Sequence, residues 1–212
     1  MNIIASQKDT INEVNARRVC LMIEKEDEGA LAFFLKCAAE NRIGSWGELL
    51  RAAASSGSVK IWDEVFDRLP IRERYHLGGA TDLAILAIQS GSIPMLRRVL
   101  HDVRYEFDGD WSRLVHAAAV KGDFPLWKEV LKMSWDGQNG LRYFDDVLEA
   151  AVKHRPIWMD LCKLAESDFS PFRKVSSWDD IARAAAIGGE SSTLEEVLKM
   201  ADGKVTKSAY AG

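Results

Sequence analysis

At 212 residues, with 47% hydrophobic and 28% charged, the chain is long enough to bury roughly 70% of its unfolded surface, which fits one globular body or one array. Twenty-eight Lys and Arg against 32 Asp and Glu leave a net charge of −4, which repels a polyphosphate unless the cations are segregated on one face, so nucleic acid is disfavoured as a partner. Cys20, Cys37 and Cys162 form no CxxC pair and have no histidine at zinc spacing, which argues against a disulfide framework and a metal knuckle and suggests a reducing compartment.

The opening MNIIASQKDT has no basic region followed by an apolar core, and no stretch reaches the 18 or so apolar residues that span a bilayer. We expect a cytoplasmic protein with no membrane segment. Thr10–Glu13, TINE, fits a capping box, and residues 12–42 read as a degenerate helix pair with four acidic residues between Glu24 and Glu28 and no alanine triplet. Such departures are expected of a terminal capping unit.

From Trp46 onward the chain repeats itself. WGELLRAAASSGSVKIWDEVF, TDLAILAIQSGSIPMLRRVL from Thr81, WSRLVHAAAVKGDFPLWKEVL from Trp111, FDDVLEAAVKHRPIWMDLCKL from Phe144 and WDDIARAAAIGGESSTLEEVL from Trp178 fall into one register. Gly57, Gly91, Gly122 and Gly189 mark the same point in four of them, 34, 31 and 67 residues apart, and His154 stands near it in the fifth. A period of about 31 to 35 is a signature of helical arrays.

Each copy predicts two short helices. Trp46, Leu49 and Ala53, like Trp111, Leu114 and Ala118, recur at i, i+3, i+7 and share a helix face. The triplets Ala52–Ala54, Ala117–Ala119 and Ala184–Ala186 favour helix and permit close approach. Ser45, Asp110 and Ser177 stand where N-caps belong, the glycine stops the first helix, and Pro94, Pro125 and Pro156 stand where the second begins. Its core is predicted to comprise Trp62, Val65 and Phe66; Leu96, Val99 and Leu100; Trp127, Val130 and Leu131; and Leu194, Val197 and Leu198. The expected units are 45–79, 80–109, 110–142, 143–176 and 177–201, followed by a tail at 202–212, all in a single domain spanning 1–212.

AAAVKGDFPLWKEVL in this register resembles the ankyrin repeat family. Ala118, Ala119 and Gly122 match its alanine pair and glycine, His116 falls at its histidine position, and Thr81 corresponds to its opening threonine with no proline after it. The likeness covers roughly residues 45 to 200. No unit carries the family's GADVN turn, and the connections PIRERYHLGGA, HDVRYEFDGDW, WDGQNGLRYF and DFSPFRKVSSW are longer and more aromatic. The expected fold is therefore all-α: an irregular ankyrin-like α-solenoid of about six helix-pair units with long inter-repeat loops. HEAT-type pairs are the structural runner-up.

The resemblance implies a structural His116 bonded to nearby backbone, with no acid, base or nucleophile beside it. His76, His101 and His154 share no spacing that would indicate a metal site. FDGDW (Phe107–Trp111) and DGQNG (Asp136–Gly140) lack the alternating oxygen ligands of a calcium loop and read as turns. GKVTK at Gly203 lacks the upstream glycine of a P-loop. No catalytic, cofactor or metal residue is indicated, and no cofactor is expected. Arg97, Arg98, His101 and Arg104 form a positive stripe, read here as a solvated face paired with carboxylates such as Asp63, Glu64 or Glu129.

Aromatics that do not repeat, Tyr105, Phe107, Trp135, Tyr143, Phe169 and Phe172, lie in predicted connections and lack a periodic reason for burial. The expected function is non-catalytic binding of another protein through a concave face and the aromatic loops, with Tyr105, Phe107, Trp135 and Tyr143 as anchors and Arg51, Arg113 and Arg183 as polar contacts. Divergent arrays of this kind resemble effectors and inhibitors that act on host or competitor proteins, which would extend the expected location to a host cell. The alternatives are an enzyme or modifying factor whose site is assembled between repeats, and an RNA-binding solenoid. The sequence does not specify an oligomeric state.

Overall fold

A computed structural model describes residues 21–22, 25, 46–74, 79–136, 144–166, 178–188 and 191–201. These residues are all-α, without strands. Ten helices of eight residues or more follow one another as five pairs: α1 (Trp46–Ser56) and α2 (Val59–Arg68), α3 (Ala80–Ser90) and α4 (Ile93–Asp102), α5 (Trp111–Lys121) and α6 (Phe124–Asp136), α7 (Phe144–Ala151) and α8 (Arg155–Glu166), α9 (Trp178–Ile187) and α10 (Ser191–Ala201). A single helical turn, Ile71–Arg74, follows α2. The expected N-terminal unit at 12–42 falls almost wholly outside the described residues, as do the tail, His76, Phe169 and Phe172.

Local chemistry accounts for the pairing. Gly91 and Gly122, at φ 82° and 76°, end α3 and α5 in the left-handed conformation that costs other residues a Cβ clash. One residue later the next helix is capped. Ser58, Ser92 and Asp123 each accept a backbone N–H from three residues on, Ile61, Met95 and Leu126 respectively. Pro94, Pro125 and Pro156 occupy the second residue of α4, α6 and α8, where a missing N–H costs no hydrogen bond. Asp110 caps α5 by accepting from the Arg113 N–H.

The chain divides into two compact units, Met1–Asp108 and Gly109–Gly212. In the first, α1 packs on α3 and α2 on α4; in the second, α5 packs on α7, α7 on α9 and α6 on α8. Within each unit the first helices of successive pairs come closest together. Counting from the first residue of each first helix, the eighth is alanine in all five pairs, and Ala53, Ala87, Ala118, Ala151 and Ala185 are all fully buried. A methyl is the largest group that such a close approach admits. The fourth and fifth positions, Leu49–Leu50, Leu83–Ala84, Leu114–Val115, Val147–Leu148 and Ile181–Ala182, complete that buried face.

In the second helices the seventh position is always branched and buried: Val65, Val99, Val130, Leu161 and Val197. Leu96, Leu100, Phe66 and Leu131 are buried with them as expected, whereas Leu194 and Leu198 are only partly buried. Trp46, Trp111 and Trp178, which open three of the first helices, are also partly buried. The fourth position carries Trp62, Trp127 and Trp158, each burying an aromatic surface worth several methylenes of transfer energy. Cys162, one of the register's apolar positions, is likewise buried.

Candidate functional site

With the fourth, fifth and eighth positions of each first helix committed to packing, the third, sixth and tenth point outward. In the second unit these are Arg113, His116 and Val120; Asp146, Glu149 and Lys153; and Asp180, Arg183 and Ile187. His116 and Val120 of α5, Asp146 and Glu149 of α7, Lys153 just after it and Ile187 of α9 line an open groove of about 630 Å³. Its floor is apolar, formed by Ala150, Val152 and Ala184. Gly188 belongs to the same wall, and any Cβ there would press into the Val152 side chain. Glycine thus lets the floor close up beside the groove.

Val120 and Ile187 are large aliphatics left 57% and 67% exposed, on the two helices that flank α7. Asp146 and Glu149 of α7 carry exposed carboxylates with no ion pair to a described residue, at the third and sixth positions; the position level with Val120 and Ile187 is Lys153. Lys153 lies one turn beyond Glu149, and the side chains of the two form no salt bridge. Among the described residues the groove thus combines two exposed aliphatics on its flanking helices with two carboxylates and Lys153 along its middle one.

His116 departs from the sequence expectation. Instead of bonding to nearby backbone it is exposed in the groove, with no hydrogen bond to a described residue. The reason is its register: the sixth position of α5 faces outward, away from the packed face.

The residues expected to bind a partner fall elsewhere. Tyr105 is 77% exposed in the turn after α4, with the Arg104 guanidinium 4.7 Å from its ring centroid and donating to its hydroxyl. Phe107, in the same connection, is partly buried. Trp135 belongs to helix α6 and not to a loop, because no helix breaker intervenes before Gly137; its side chain lies outside the described residues, as does Tyr143 altogether. Arg51 and Arg113 are exposed at the outward sixth and third positions of α1 and α5. Arg183 is exposed and pairs with Asp180 at 3.2 Å. Of these, Tyr105, Phe107, Arg51, Arg113 and Arg183 are not among the groove's described lining residues.

Two members of the positive stripe, Arg98 and His101 of α4, contact carboxylates, in keeping with its reading as a solvated face. Arg98 donates to Asp63 at 2.7 Å and lies 3.3 Å from Asp102. The hydrogen bond that Arg98 donates to Asp63 raises the Arg98 pKa, burial opposes the rise, and the charge of Asp102 adds to it. His101 contacts Asp102 at 3.1 Å. Among the described residues no three metal-ligating side chains cluster, and no helix is long and apolar enough to cross a membrane.

No known protein family, curated protein or solved structure matches the chain. The groove residues were legible in principle as outward register positions, yet their assembly depends on three helices 30 to 70 residues apart in sequence, roughly two repeat lengths end to end.

Proposed function

We propose that this chain is a non-catalytic protein-interaction module built from ankyrin-like solenoid repeats. The observation that carries the reading is the groove over α5, α7 and α9. Its walls are the outward positions of stacked first helices, which can change without disturbing the alanine seam beneath them. Exposed aliphatics and exposed carboxylates on neighbouring helices suit recognition of another polypeptide, since apolar contact supplies affinity and charge supplies selectivity. Tyr105, stacked under Arg104, is a second contact point of the aromatic-plus-arginine kind favoured at interfaces.

The test is parallel capture of partners from cells on the full-length chain, on a Tyr105→Ala/Trp135→Ala variant and on a Val120→Asp/Ile187→Asp variant. A partner retained by the first variant and lost by the second assigns binding to the groove. Loss in the first alone assigns it to the aromatic connections. Should all three capture the same proteins, the interaction reading is wrong at both places.

A further inference from the structure

We infer that Glu196 of α10 is a two-position latch, shared between the Arg155 guanidinium and the indole N–H of Trp158. Its Arg155 position leaves the α9–α10 pair less firmly held than the pairs before it. Three equivalent tryptophans carry the inference. Trp62, Trp127 and Trp158 are buried at the fourth position of α2, α6 and α8. The first two donate to a carboxylate of the next second helix, Asp102 and Asp160, whereas the Trp158 N–H has no partner among the described residues. The residue three before each tryptophan, which shares its helix face, separates the cases. It is Val59 in α2 and Phe124 in α6, but Arg155 in α8.

A carboxylate arriving from the next helix thus meets a cation at that place only beside Trp158. Glu196 stands at the sixth position of α10, the position from which Asp160 of α8 serves Trp127. Arg155 holds both of its oxygens, at 3.1 and 3.4 Å. Lys128, one residue after Trp127, instead shares Asp160 with the indole. Among the described residues α8 and α10 also approach each other less closely than α6 and α8 or α2 and α4. Reaching the indole therefore requires α10 to draw in towards α8. The exposed Arg155–Glu196 pair loses little when broken, while an acceptor for Trp158 satisfies a buried donor. Because α10 packs on α9, which supplies Ala184, Ile187 and Gly188 to the groove side, the latch sets how firmly that wall is held, whatever the groove binds.

The experiment is amide hydrogen exchange on the full chain, with NMR of the Trp158 indole N–H, its signal assigned by its loss in Trp158→Phe. Wild type is compared with Arg155→Gln, with Arg155→Gln/Glu196→Ala, and with Lys132→Gln, an exposed charge change on α6, as control. Circular dichroism checks that the helices are retained. Although Arg155→Gln deletes a salt bridge, it should slow exchange in α10 about fivefold or more and shift the indole proton downfield as it gains an acceptor. Adding Glu196→Ala should abolish both effects, and Lys132→Gln should produce neither. At about 1 M salt, where charges are screened within roughly 3 Å, wild type should approach Arg155→Gln. Faster exchange in Arg155→Gln, or an indole signal that does not move, overturns the latch and makes the pair a plain surface salt bridge. If Arg155→Gln loses helix content, the salt titration of the wild type decides, and α10 exchange that quickens with salt overturns the inference.

Discussion

Trp127 donates its indole N–H to Asp160 across 3.0 Å, tying the second helix of one pair to that of the next. Trp62 does the same to Asp102 at 2.8 Å in the other unit. Each tryptophan is fully buried at the fourth position of its helix, and each carboxylate is mostly covered. The carboxylate receives further donors from outside: Lys128 at 3.0 Å on Asp160, and Arg98 at 3.3 Å on Asp102. Replacing Asp160 by Leu leaves a buried donor unsatisfied, so a loss of about 1–3 kcal/mol is expected. Lys128→Met removes only a half-exposed charge and should cost under about 1 kcal/mol. Urea unfolding followed by circular dichroism distinguishes them, and equal losses would show that the indole bond contributes nothing.

Trp158 occupies the same position in α8, but its indole N–H has no hydrogen-bond partner among the described residues. In α10 the sixth position, which is aspartate in α8, is Glu196, and that side chain pairs with Arg155 at 3.1 Å. Trp158→Phe therefore deletes an unsatisfied donor along with some apolar contact. Its cost should be smaller than that of Trp127→Phe by roughly 1 kcal/mol. Parallel denaturant titrations of the two variants check this, and the reverse ranking would refute it.

The alanine seam makes a sharper demand. Ala118 is fully buried between successive first helices, so Ala118→Leu should destabilise by about 1–3 kcal/mol or more through overpacking. Val120→Leu, two residues away and exposed in the groove, should stay within roughly 0.5 kcal/mol of wild type. Thermal melts of the pair read the contrast directly.

Glycines separate by what surrounds them. Gly122 has φ 76°, and a Cβ there would overlap the His154 imidazole. Gly122→Ala should cost about 1–3 kcal/mol, part of it from the backbone and part from displacing the ring. In a His154→Ala background the ring's share vanishes, so the penalty should shrink without disappearing. Gly47 lies in the first turn of α1 with open space around it, and Gly47→Ala should stabilise by roughly 0.4–1 kcal/mol. A double-mutant cycle on Gly122 and His154, with Gly47→Ala as control, measures each part.

Much of the helical plan was written locally. Gly91 and Gly122 as stops, Asp110 as a cap and Pro94, Pro125 and Pro156 as starts act within four residues of their own position, so their effect can be read from a single strand of text. The groove residues were not legible in this way. Tyr105 stood out because it is an unrepeated aromatic, whereas Val120, Glu149 and Ile187 carry no unusual chemistry singly. Trp135 was misplaced because a turn-rich stretch beginning at Asp136 hid one further turn of helix. His116 matched a familiar pattern by identity while its outward register placed it in the groove.

The sequence by itself determined the helix pairs, because caps, glycines, prolines and a 3.6-residue apolar period are short-range instructions that need no partner. It also determined which faces are buried, since alanine at the eighth position and a branched residue at the seventh recur in every pair. Only the tertiary structure decided which side chains meet between pairs. The acceptor of Trp62 is the tenth residue of α4, and that of Trp127 is the sixth of α8. Equivalent tryptophans find non-equivalent carboxylates, because the reach of an indole N–H depends on how two helices are placed, and no spacing along the chain encodes that placement.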